Sequence, residues 1–136
     1  MGRDFSGVSL EKLARWVAEG LVEWPGHVSN IKDWVASASV FVLPSYYREG
    51  LPRSIQEAMS LGKPIITTDW VGCRDTVQHG VNGFLVPVRS PELLAEAMLR
   101  FVQHPSLVER MGRASRHLAE QRYDVSIING ALLSAL

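Results

Sequence analysis

Apolar positions fall at two spacings along this chain, and the two alternate. Leu10, Leu13, Ala14, Trp16 and Val17 recur at helical spacing until Gly20, which predicts a first helix. Residues 21–24 read as a short strand closed by Pro25-Gly26. Residues 31–37 predict a short helix that turns Ile31, Trp34 and Val35 inward. Val40, Phe41, Val42 and Leu43 form a β-branched and aromatic run ended by Pro44-Ser45, the pattern of a buried strand. Pro52 suits the first turn of a helix, Ile55, Ala58, Met59 and Leu61 give its stripe, and Gly62 and Pro64 stop it. A second apolar run, Ile65-Ile66, follows at once.

Downstream, residues 73–77 predict a short helical turn, and residues 79–83 a turn of residues that tolerate positive φ. Phe84, Leu85 and Val86 then form a strand that Pro87 ends. Ser90 reads as a helix cap with Pro91 at the first position, and Leu93, Leu94, Ala97, Met98 and Phe101 as the buried face. Pro105 starts a further amphipathic helix to about residue 122, and residues 125–136 an apolar one. Strands alternating with helices predict an α/β fold with a mostly parallel sheet, whose ligands bind beyond the strands' carboxyl ends.

That rule directs attention to residues 41–68. Glu49 lies in the loop after the strand and Glu57 inside the next helix, so the two carboxylates stand roughly 8 to 12 Å apart at about 1.5 Å rise per helical residue. Such a span suits one elongated polar ligand. Between them, the backbone N–H groups of Arg53 and Ser54, with those of Gly50 and Leu51 upstream, form a helix start able to hold a phosphate or diphosphate. Arg48 and Arg53 are candidate phosphate partners, with an exposed surface arginine the commoner alternative for each, and Tyr46 and Tyr47 half-buried loop anchors. The plainer alternative for the glutamates is a pair of solvated carboxylates favoured by the helix macrodipole.

Composition narrows the partners. With 14 basic and 14 acidic residues the chain has no net charge, so it carries no nucleic-acid footprint and no basic membrane patch. The length of 136 residues argues for one domain. The single cysteine, Cys73, fits a packed thiol and a reducing cytoplasm. No run approaches a membrane span and no signal peptide opens the chain, so any membrane association is expected to be peripheral. The four histidines are dispersed and no Asp-x-Asp pair occurs, so neither metal nor cofactor is expected.

Glu49-Gly50-Leu51-Pro52, Glu57-Ala58, Gly62-Lys63-Pro64-Ile65-Ile66 and Gly80-Val81-Asn82-Gly83-Phe84-Leu85-Val86-Pro87 together resemble the nucleotide-sugar-dependent glycosyltransferases of family 4, of the two-domain GT-B architecture. The resemblance implies a Rossmann-like donor-binding domain over residues 1–136, a truncated half of that architecture without its N-terminal acceptor domain. It implies that Glu49 is catalytic, contacting the donor sugar and its developing charge, and that Glu57 binds the ribose hydroxyls. Gly50 and Leu51 would reach the sugar or diphosphate, and His27 and Val28 the base; an ordinary loop histidine is the alternative for His27. The reaction implied is hexosyl transfer, with retention, from a nucleotide diphosphate sugar, a UDP-sugar by preference. The acceptor would be a glycan or lipid-linked saccharide, in bacterial capsule or lipopolysaccharide synthesis, at the inner face of the membrane. The basic pair that clamps the diphosphate in this family is not recognisable, so the chain alone is expected to be a poor catalyst. A non-catalytic nucleotide-sugar-binding module needing a partner chain is the competing reading, and an epimerase of the same architecture a further one.

Overall fold

A computed structural model of the protein describes residues 10–26, 28–46 and 52–123. Their elements run α1 (Leu10–Ala18), α2 (Ile31–Ser37), β1 (Phe41–Leu43), α3 (Arg53–Ser60), β2 (Ile65–Thr68), β3 (Gly83–Val86), α4 (Pro91–Gln103) and α5 (Ser106–Arg122). The strands form a three-stranded sheet in the order β1-β2-β3, parallel throughout. Phe41 pairs with Ile65 and Leu43 with Thr67, while Ile65 pairs with Gly83 and Thr68 with Val86. This is the predicted Rossmann-like α/β arrangement, with helices flanking the sheet.

Period-two alternation on these strands divides the core in two. Phe41, Leu43, Ile65 and Leu85 face a cluster with Ile55, Ala58 and Met59 of α3, Cys73, Val77, and Leu118 and Ala119 of α5. Val42, Ile66, Phe84 and Val86 face a second, with Ala97 and Phe101 of α4 and Met111 of α5. α5 therefore contributes to both clusters, its first half to one and its second half to the other. Cys73 is fully buried, as a packed thiol should be. Tyr123 packs beside the first cluster, and burial raises its hydroxyl above the ordinary pKa of 10.0.

The amino-terminal third departs from its predicted packing. Residues 21–24 form no strand; Leu21 and Trp24 are 69% and 63% exposed. A strand needs a neighbour to take its backbone N–H and C=O groups, and none of the described strands lies beside this segment. α2 forms over its predicted residues, but only Val35 reaches the core, and Ile31 and Trp34 stay exposed. On α4, Leu94, Ala97 and Phe101 turn inward as predicted, whereas Leu93 and Met98 are exposed because the sheet covers only a narrower stripe. Ser90 holds the cap position, yet its hydroxyl donates to the Val88 carbonyl at 3.1 Å and caps nothing. The apolar helix predicted for residues 125–136 lies outside the described residues.

Candidate functional site

The parallel strands end on one edge of the sheet, and the segments leaving them carry the polar residues in question. β1 is left through Pro44, Ser45 and Tyr46, β2 through Asp69 and Trp70, and β3 through Pro87, Val88 and Arg89. Loops and helix amino ends converge on such an edge, which makes it the natural ligand side.

Two hydroxyls of β2 determine how β1 ends. Thr67 Oγ1 donates to the Leu43 carbonyl at 2.8 Å, and Thr68 Oγ1 donates to the Ser45 carbonyl. Both threonines are buried, so these main-chain carbonyls find protein donors where water is excluded. Neither threonine was singled out from the sequence; their only signal is a hydroxyl pair closing an apolar run. Tyr46 follows, half-buried as expected of a loop anchor, with the Arg89 guanidinium 5.0 Å from its ring centroid.

Helix α3 starts at Arg53, after the buried Pro52, and among the described residues no side chain caps it. The first main-chain bond is Gln56 N–H to the Pro52 carbonyl at 3.2 Å. The N–H groups of Arg53, Ser54 and Ile55 thus precede the first intrahelical donor and carry the positive end of the helix dipole. Arg53 and Ser54 are exposed there, where an anion can reach them.

Glu57 lies one turn further along α3, and Arg53 Nε donates to its Oε1 at 3.3 Å. The Glu57 side chain is 23% exposed and that of Arg53 66%. An ion pair so open to water contributes only about 0.3–0.5 kcal/mol, so it costs little for Arg53 to turn toward a phosphate. Glu57 is neither fully solvated nor sealed. Its carboxylate has about four acceptor positions, of which this bond takes one. The four-residue spacing that allows the pair is the one signal of it in the sequence.

Val28 is half-buried in the segment before α2. Because α2 delivers the chain to the amino end of β1, its own start, and Val28 with it, lies toward the carboxyl edge. His27, Arg48, Glu49, Gly50 and Leu51 lie outside the described residues, and the Glu49 to Glu57 separation with them. Two further polar residues are paired within the fold. Asp69 is held by Arg74, Nε to Oδ1 at 3.1 Å, and His79 Nδ1 accepts the Leu85 N–H at 3.0 Å. An open cleft of about 540 Å³ involves Lys63, Arg113 and Arg116, but at the opposite edge. Two of its cations serve helix carboxyl ends: Lys63 Nζ donates to the Ala36 carbonyl of α2, and Arg116 to the Ser60 carbonyl of α3. Among the described residues, no group of three or more His, Cys, Asp or Glu could hold a metal ion, and no helix is long and apolar enough to cross a membrane.

This arrangement matches known proteins. A family model described as glycosyl transferases group 1 covers residues 2–104. The D-inositol 3-phosphate glycosyltransferase of Streptomyces griseus is 42% identical over 86 residues, 63% of this chain and 18% of that protein. A putative colanic acid biosynthesis glycosyltransferase, WcaL of Salmonella typhimurium, is 31% identical over 133 residues, 91% of this chain and 32% of that protein. The crystal structure of HepE from Anabaena in complex with UDP superposes with a TM-score of 0.78 at 29% identity, covering 93% of this chain and 35% of HepE. HepE in complex with UDP-glucose gives 0.75 at 28% identity, over 93% of this chain and 37% of HepE. The chain spans between 18% and 32% of the length of these two curated relatives.

Proposed function

The chain belongs to the glycosyl transferases group 1 family, and from that premise we propose that it forms the donor side of a retaining glycosyltransferase of bacterial surface polysaccharide synthesis. The observation that carries this reading is the uncapped amino end of α3 on the carboxyl edge of the sheet, with Glu57 one turn behind it. A nucleotide diphosphate sugar needs both features: N–H donors for its phosphates, and a carboxylate that accepts from the ribose hydroxyls.

In this reading the diphosphate lies at the N–H groups of Gly50, Leu51, Arg53 and Ser54. Arg53 swings from Glu57 to meet it, and Glu57 accepts from both ribose hydroxyls. Glu49 contacts the sugar and stabilises the positive charge that develops as the anomeric bond breaks, and His27 and Val28 lie against the base. The donor is a UDP-sugar, a choice supported by the likeness to HepE, which has been crystallised with UDP and UDP-glucose. As the leaving diphosphate gains charge, N–H donors already aimed at it stabilise the transition state more than the ground state. A dedicated basic clamp would add several kcal/mol, and without it the isolated chain is a weak catalyst. The acceptor, a glycan or lipid-linked saccharide, is held by a further domain, and the reaction takes place in the cytoplasm at the inner membrane face.

Calorimetric titration of the chain with UDP and UDP-glucose tests this. Glu57→Ala should weaken both ligands at least tenfold, since even one hydrogen bond to a charged group is worth about 1.5–3 kcal/mol. Glu49→Ala should weaken UDP-glucose selectively. Equal affinities in the Glu57 variant and the unaltered chain, or no binding by a folded chain, would overturn the assignment.

A further inference from the structure

We propose that His79 guards the outer edge of β3 against pairing with another chain, by withholding the Leu85 N–H that an added strand would use. β3 is an outer strand of the sheet, which has the order β1-β2-β3. The carbonyls of Asn82 and Val86 accept the Ile65 and Asp69 N–H groups at 3.0 and 2.8 Å, so the even-numbered residues of this segment face β2. Alternation then turns the main-chain groups of Gly83, Leu85 and Pro87 to the open side. Each of these positions carries a stop. The Leu85 N–H donates to His79 Nδ1 at 3.0 Å, the Gly83 carbonyl accepts the Gly80 N–H at 2.8 Å, and Pro87 has no N–H to offer. Residues 79 and 83 also pair as an isolated parallel bridge, so the chain lays one residue of its own along the strand's outer side.

The strand itself explains why a guard is needed. Gly83–Val86 carries no charge, and an uncharged apolar outer strand is a template for pairing with another chain. Folded sheets commonly blunt such edges with lysine, and β3 has none. Leu85 offers the one outward N–H between Phe84 and Pro87, and His79 takes it. The imidazole is well placed to do so. Gly80, at φ 81, folds the chain back so that residue 79 lies beside the strand it precedes, and the Phe84 ring meets the imidazole edge-on with 5.6 Å between centroids. Accepting at Nδ1 places the ring proton on Nε2. His79 is exposed and belongs to neither core cluster, so its main work is at this edge.

Amide hydrogen exchange and sedimentation test the guard together. In the unaltered chain the Leu85 amide should be protected alongside those of Phe84 and Val86, which face β2. His79→Ala should speed Leu85 exchange about twofold to tenfold, the effect of one neutral hydrogen bond, while Phe84 and Val86 stay within about twofold. His79→Asn places an acceptor at the reach of Nδ1 and should restore the protection. Sedimentation is compared in chains that also carry Leu21→Ser and Trp24→Ser, which removes association through the amino-terminal third. There His79→Ala should form larger species as concentration rises, with the infrared absorption of intermolecular β-pairing, and His79→Asn should not. A Leu85 amide that exchanges freely in the unaltered chain overturns the guard, and that arm needs no variant to fold. Unchanged sedimentation of folded His79→Ala, or association of His79→Asn as strong as that of His79→Ala, overturns it as well.

Discussion

Asn82 is fully buried, and its side chain closes three hydrogen bonds. Oδ1 accepts the Gln78 N–H at 2.8 Å, and Nδ2 donates to the Thr76 carbonyl and to Ser115 Oγ, each at 3.3 Å. Its own carbonyl accepts from Ile65 N–H, which ties the turn before β3 to β2. Asn82→Ala would leave the Gln78 N–H, the carbonyl of the buried Thr76 and the hydroxyl of the buried Ser115 each short of a partner, two of them out of reach of water. Each such loss costs about 1–3 kcal/mol, so we expect at least 2 kcal/mol lower stability in urea unfolding, with donor affinity preserved in the folded fraction. The sequence marked Asn82 as one of the turn residues tolerant of positive φ and as part of the motif that carries the family resemblance, but gave no sign of its buried hydrogen bonds. Positive φ falls instead on Gly80, Gly83 and, beyond the strand, Arg89. A buried asparagine and a turn asparagine look alike in sequence, because what distinguishes them is Ser115, 33 positions away. Glu57 was legible because its neighbours in the chain supply its setting, a helix start after a strand. Thr67, Thr68 and Arg89 act across strands, and no local pattern announces them.

The packing of α5 against the loop after α3 depends on two glycines. A Cβ added to Gly112 would stand 2.3 Å from the Gly62 carbonyl oxygen, which is backbone and cannot swing aside. Gly112→Ala therefore gains about 1 kcal/mol of helix propensity and loses more to the forced separation. We expect a net loss of about 1–2 kcal/mol, read as a lower urea midpoint at unchanged slope. A neutral or stabilising result would mean that α5 moves without cost. The elements themselves were largely legible. β1, α3, β2, β3, α4 and α5 form close to their predicted bounds, since each carries its own apolar pattern and a glycine or proline at one of its ends. Residues 21–24 had the composition of a strand and did not become one, because pairing is a property of two segments and composition of only one. The exposed Leu93 and Met98 have the same origin: helical spacing states which residues share a face, and only the neighbouring sheet fixes how wide that face is covered.

On the whole molecule, Leu21, Trp24, Ile31 and Trp34 leave apolar surface exposed in the amino-terminal third, at 69%, 63%, 43% and 37%. Exposed apolar surface promotes association, so sedimentation of the chain should shift to larger species as concentration rises. Trp24→Ser with Leu21→Ser should suppress the shift, and a monomer at every concentration in the unaltered chain would contradict the expectation. The carboxyl side behaves differently, because α5 closes both core clusters. The sequence by itself determined the alternation of strand and helix, hence the parallel sheet, its ligand edge and the helix start that carries Arg53, Ser54 and Glu57; these follow from local periodicity and from turn residues that act within a few positions. Only the tertiary structure decided which apolar residues are covered, which hydroxyls hold the end of β1, and that Arg89 stacks on Tyr46, because contacts between residues far apart in the chain are set by packing of the elements and leave no trace in local order.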